Sequence, residues 1–183
     1  MEPIYEDLRR CIFSTQEELD RLRQLIINAV MATDVMDKEL GALRKKRWVL
    51  AFNTASEGSR ESSSDMANRK ATIVIEHLIQ ASDVCHTMQH WQIYIDWNAK
   101  FFDECYQAYL NGRAEKDPSL NWYEGEVGFF DFYIIPLAKK LKECGVFGVS
   151  GDEYLNYAQN NRDEWQRRGQ SVVETFMEKY QSK

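Results

Sequence analysis

Turn-forming residues are scarce in this chain: nine glycines and three prolines stand among 183 residues, roughly half the share of an ordinary protein. Few turns imply long elements, which excludes a β-sandwich or barrel and predicts an all-α chain. Histidine is scarcer still. His77, His86 and His90 are the three, and residues 1–76 contain none. A metal centre draws several His and carboxylate ligands into one cavity, so histidine spacing alone describes no complete one. The four cysteines, Cys11, Cys85, Cys105 and Cys144, form no Cys-x-x-Cys pair and read as reduced thiols. No basic leader precedes an apolar stretch at the start, and the longest apolar runs, such as Phe132 to Ala138, fall far short of a bilayer span. A soluble, intracellular, cytoplasmic chain with no membrane segment is the expectation. Basic charge is also in deficit, 23 Lys and Arg against 29 Asp and Glu for a net −6, which argues against a nucleic-acid partner.

What the chain does have is apolar material. At 44% hydrophobic and 13% aromatic it can build the core of one domain, and global disorder is excluded. Ser14 with Glu17 and Thr15 with Glu18 form overlapping capping boxes that start a helix. Leu19, Leu22, Leu25, Ile26, Ala29 and Val30 follow as an apolar stripe that runs into Met31-Ala32-Thr33-Asp34. The basic run Arg44-Lys45-Lys46-Arg47 reads as a solvated helix face. Residues 54–68, rich in Ser, Glu and Gly, have no apolar periodicity and read as a solvated internal loop. Helical spacing resumes at Ile73 and continues through Trp91, Tyr94, Ile95, Asn98, Phe101 and Phe102. Lys116 to Ser119 is a turn. A densely apolar helix over Val127–Leu141 contains Pro136, which removes one backbone bond and kinks the axis. Ser150 to Glu153 opens a polar C-terminal helix carrying Trp165.

Taken by themselves, His86, His90 and Asp83 are spaced to share a helix face, but spacing without supporting partners is weak evidence for a metal site. Three further segments carry more. Val30-Met31-Ala32-Thr33-Asp34 ends an apolar helix. Ala81-Ser82-Asp83-Val84-Cys85-His86 is followed by Tyr94 and Trp97, eleven and fourteen residues beyond Asp83. Glu126-Val127-Gly128-Phe129-Phe130-Asp131 precedes Pro136. In order and separation, together with Asn161-Arg162-Asp163-Glu164-Trp165, they resemble the later part of the catalytic domain of the class I 3′,5′-cyclic-nucleotide phosphodiesterases. Those are all-helical hydrolases of the HD type with a binuclear metal site.

The resemblance implies an HD-type helical bundle, hydrolysis of cyclic AMP or cyclic GMP to 5′-nucleotides in signal transduction, and two divalent ions, zinc with magnesium or manganese. It implies that Asp83 is a metal ligand, since such a site needs a hard anionic oxygen on the ion that activates water. Asp34 is placed near the metal-water network, with a helix-terminal capping role as its other reading. Glu126, Phe129, His86 and Tyr94 are placed at the nucleotide: Phe129 against the purine ring, where an aromatic face offers stacking contact, His86 as a hydrogen-bonding group, and Tyr94 with Trp97 in the pocket wall.

Two departures from the family pattern stand out. Its base-binding glutamine is Glu126 here, and an ionised carboxylate only accepts hydrogen bonds where an amide does both. The resemblance also begins after the family's His-Asn-x-x-His and His-Asp signatures, so none of the general-acid residues is present. Gln80 stands where a histidine is common. Residues 1–183 therefore resemble an incomplete, rear portion of the domain. The expected partners are a cyclic nucleotide, the missing N-terminal half, and a second copy of the chain through the apolar surface which that half would cover. The metals are not expected to be retained by this chain alone. The alternative reading is a catalytically dead helical module that binds nucleotide or a partner protein.

Overall fold

The computed structural model describes residues 5–35, 37–52 and 62–181, and among them every regular element is helical. The all-α expectation holds. Two compact units divide the chain, Met1–Gln80 and Ala81–Lys183.

The first unit contains α1 (Glu6–Ile12), α2 (Gln16–Ala32), α3 (Lys38–Phe52) and most of α4 (Ser63–Asp83). Of the two overlapping boxes, Thr15 with Glu18 caps α2. The Thr15 hydroxyl accepts the Glu18 amide at 3.2 Å, and the Glu18 carboxylate accepts the amides of Ser14 and Thr15 at 2.6 and 3.2 Å. Asp37 caps α3, accepting from the amides of Glu39 and Leu40 at 2.8 and 3.0 Å.

The apolar stripe of α2 stands partly in solvent, with Ile26 and Val30 52% and 62% exposed. One expectation changes in this unit. The basic run is not a uniformly solvated face. Arg44 donates to the carbonyls of Ala32 and Asp34 at 2.8 and 2.9 Å, satisfying carbonyls that α2 leaves open at its end. Arg47 pairs at 2.8 Å with the buried Glu76. Lys45 and Lys46 alone are left on the surface.

The loop expected at 54–68 lies outside the described residues over 54–61, and its remainder is corrected. From Ser63 the chain is helical. The Ser62 hydroxyl accepts the Asp65 amide at 3.1 Å and donates to the Asp65 carboxylate at 2.8 Å, so a polar cap starts α4 about three turns ahead of its apolar stripe. Deeper in α4, the His77 ring donates through Nδ1 to the Ile73 carbonyl at 2.7 Å and lies 4.7 Å from the Trp48 ring. Gln80 donates to the Ala32 carbonyl at 3.0 Å. Both act as satisfied interior groups.

The second unit contains a 3₁₀ turn (Cys85–Met88), α5 (Trp91–Leu110), a 3₁₀ turn at Pro118–Leu120, α6 (Trp122–Phe129), a π turn (Phe130–Ile134), α7 (Ile135–Glu143) and the 32-residue α8 (Ser150–Gln181). The kink expected at Pro136 is realised as the π turn. The Ile135 amide bonds the Phe130 carbonyl, five residues back, and the widened turn absorbs the proline without ending the helix.

α8 is the strut of this unit. Trp165 is fully buried, with its ring centroid 5.8 Å from that of Tyr94, and its Nε1 donates to the Tyr123 carbonyl at 3.0 Å. Asn161 donates to the carbonyls of Thr87 and Gln89 at 3.0 and 2.7 Å, tying α8 to the 3₁₀ turn. The Arg162 fork grips Asp131 at 2.8 and 2.9 Å.

Gly169 tests this packing. A Cβ there would meet the Trp165 ring at 2.8 Å and the Tyr123 ring at 2.9 Å, closer than atoms normally approach, and the Trp165 ring is fully buried. Gly169→Ala is expected to lower stability by about 1–3 kcal/mol despite the better helix propensity of alanine. Urea denaturation followed by circular dichroism measures it, and an unchanged or higher midpoint contradicts the packing described.

Candidate functional site

A cavity of about 900 Å³ opens within the second unit. One wall is the end of α4 with the following 3₁₀ turn, which presents Asp83, Cys85 and His86. A second is α5, with Trp97, Asn98, Lys100 and Phe101. α6 closes it with Glu126 and Phe129. The helical spacing of α5 explains the second wall: Trp97 and Phe101 are four residues apart and share a face, while Asn98 turns inward.

Glu126 is the chemically distinctive group. It is 9% exposed, and Tyr94, fully buried behind it, donates its hydroxyl to Oε2 at 2.7 Å. Asn98 supplies a second hydrogen bond. Because the Asn98 carbonyl already accepts from Trp122 Nε1 at 3.1 Å, its amide nitrogen is the end that donates to the carboxylate. Burial pushes the Glu126 carboxyl up to about 6, against the pull of the Tyr94 and Asn98 hydrogen bonds. Burial and the neighbouring Glu126 together push the Tyr94 phenol far above its ordinary range.

His86 is half-buried, and burial lowers its pKa and favours the neutral ring. Its imidazole lies within 9° of parallel to Tyr94 at 6.5 Å and 6.3 Å from Trp97. Phe129 is half-buried and stacks on Tyr133 at 5.4 Å. Lys100 sits over the Trp97 ring, 4.4 Å from its centroid, a cation–π contact.

Of the residues marked from sequence, Asp83, His86, Glu126 and Phe129 line this one cavity, with Tyr94 directly behind Glu126. Asp83 is exposed at the end of α4. Asp34 belongs to the first unit, where its carboxylate accepts the Asp37 amide at 3.2 Å, a capping geometry. His86 and His90 do not share a helix face. His86 lies in the 3₁₀ turn and His90 at the N-cap of α5, where it bonds the Tyr157 hydroxyl at 3.0 Å. Asn98, Lys100 and Phe101 were not singled out as site residues. Asn98 had a readable signal, a polar residue four positions after Tyr94 in an otherwise apolar stripe.

Two divalent ions require several converging donors, and three or more protein ligands normally hold each catalytic ion. Among the described residues no three His, Cys, Asp or Glu side chains are grouped to hold a metal ion. The donor set of the described residues does not fit a binuclear centre.

The sequence model of the 3'5'-cyclic nucleotide phosphodiesterase family matches residues 5–146. The match takes in α1 to α7 and the whole cavity lining, and ends ahead of α8 and the Asn161–Trp165 segment. No curated protein and no solved structure matches the chain.

The environment of Glu126 makes stability depend on pH. The carboxyl is easier to protonate in the fold than in the unfolded chain, so the stability linked to it is complete below pH 4.5. It is lost as pH rises to about 6, by roughly 2 kcal/mol in all. Glu126→Gln keeps the shape and removes the titration. In urea melts from acid to neutral pH, the native chain is expected to lose that amount relative to the variant. A difference that stays constant with pH refutes the assigned environment.

Proposed function

The chain belongs to the 3'5'-cyclic nucleotide phosphodiesterase family, whose members are hydrolases, and we propose that it forms the nucleotide-holding part of such an enzyme acting in cytoplasmic signalling. The observation that carries the proposal is the convergence of Glu126, Phe129 and His86 on one cavity with Asp83 at its rim. The purine lies against Phe129, whose ring offers a flat apolar face already braced by Tyr133. Glu126 reads the hydrogen-bonding edge of the base, and His86 contributes a neutral ring that donates from one nitrogen and accepts at the other. Trp97 and Phe101 of α5 add apolar surface beside the base.

Opening the 3′,5′-cyclic phosphodiester to a 5′-nucleotide belongs to the domain completed by the His and Asp ligands that this chain lacks. In that domain Asp83 would add one anionic oxygen to the ligand set. Support for a completing segment, or for a second copy, comes from apolar side chains left in solvent on α2, where Ile26, Ile27, Val30 and Met31 are all about half exposed.

The ionised Glu126 carboxylate, an acceptor only, favours the base edge richer in donors, which is that of guanine. A second reading, a module that binds nucleotide without turning it over, is favoured by the donor set of the described residues. Supplying zinc and magnesium to the 183-residue chain and following 5′-nucleotide release separates the two.

Phe129→Ala is expected to weaken cyclic GMP binding by about 1–3 kcal/mol, the range for losing a base–aromatic stack. Phe132→Ala, at a side chain 86% exposed and outside the cavity lining, is expected to leave it unchanged. Isothermal titration calorimetry measures both. Equal affinities for the two variants, or no cyclic nucleotide binding at all, overturn the proposal.

A further inference from the structure

We infer that Glu126 makes the base preference of the cavity depend on pH, the ionised carboxylate selecting guanine and the neutral carboxyl admitting adenine. The inference rests on the nucleotide reading above and goes beyond it.

A carboxylate offers about four acceptor positions on two oxygens. The Tyr94 hydroxyl takes one at 2.7 Å and the Asn98 amide a second. The positions that remain serve the cavity which Glu126 lines. Guanine presents its N1–H and its exocyclic amino group side by side, two donors for two oxygens. Adenine presents an amino donor beside the N1 acceptor. Against an ionised carboxylate that N1 lone pair faces negative charge. A neutral carboxyl meets adenine fully, its O–H donating to N1 and its carbonyl accepting from the amino group. An amide serves either base by turning over, whereas a carboxyl group needs a proton from solvent to do so.

The surroundings keep this proton available to a ligand. Asn98 cannot turn to accept it, because its carbonyl is committed to Trp122 at 3.1 Å. Burial brings the titration of Glu126 to about 6, a range in which neither base changes its own protonation. The other titratable and charged groups around it are few. Tyr94, Lys100 and Glu104 come from α5, His86 from the 3₁₀ turn, Asp83 from the end of α4 and Glu124 from α6 itself. Asp117, on the turn before α6, is occupied by the amide and hydroxyl of Ser119, and Arg162 on α8 by Asp131. Asp83, Glu104 and Glu124 are exposed and screened by solvent. Burial lowers the His86 pKa, so its ring stays neutral through the upper part of the window.

The test is the affinity of the full 183-residue chain for cyclic GMP and for cyclic AMP, by calorimetry at several pH values between about 5 and 8. The ratio favouring cyclic GMP is expected to fall about tenfold from the neutral to the acid end in the native chain and to stay level in Glu126→Gln. Tyr94→Phe removes a hydrogen bond that holds the carboxyl down, so there the change is expected to move to higher pH. That variant decides the matter should Glu126→Gln fail to fold. A level ratio in the native chain overturns the inference while leaving nucleotide binding intact. A fall of equal size in Glu126→Gln overturns it in favour of His86. Failure to bind either nucleotide at any pH overturns the nucleotide reading itself, and the inference with it.

Discussion

The hydrogen bond from the Tyr94 hydroxyl to the Glu126 carboxylate joins α5 to α6 inside the second unit, and the cavity is organised around it. A carboxyl group removed from water is costly unless donors replace the water it gives up. Tyr94 and Asn98 are those donors, and each is fixed by something else. Trp165, on α8, packs edge-on to the Tyr94 ring, and Trp122 holds Asn98 by its carbonyl. The aromatic core therefore does more than exclude solvent. It sets the direction in which one polar group faces the cavity.

Much of this was legible beforehand. The scarcity of glycine and proline announced long helices, and the Thr15 capping box fell where α2 begins. Asp83, His86, Glu126 and Phe129 were marked through family resemblance, and they share a cavity because the helical phase of α5 and α6 leaves a gap between aromatic side chains. The failures have physical causes. Periodicity finds an apolar face but cannot say whether anything covers it, and the stripe of α2 stands half in solvent. Polarity finds solvent contact but not backbone geometry, so Ser63–Asn68 read as loop although Ser62 had already capped a helix. Arg44 and Arg47 satisfy groups 12 and 29 residues away in the chain, which no local pattern reveals.

The contrast between the two kinds of site in this chain is chemical. A base-binding wall needs a flat ring and a polar edge, and packing within one unit brings Phe129 and Glu126 to one cavity. A binuclear metal centre needs donors from several elements to converge, and the described residues do not gather them. Under the proposed function, recognition and turnover are separable properties.

The π turn at Phe130–Ile134 carries one residue more than an α-helix would use there. Everything after it is rotated by roughly 100° relative to an uninterrupted helix. That offset lets Glu126 and Phe129 look toward the cavity while Leu137, Ala138 and Leu141 are buried. Segment length is therefore a functional variable: an ideal straight helix grafted in place of α6 and α7 would have to be one residue shorter to present both faces correctly. Matched residue for residue, it would keep every side chain and aim half of them wrongly.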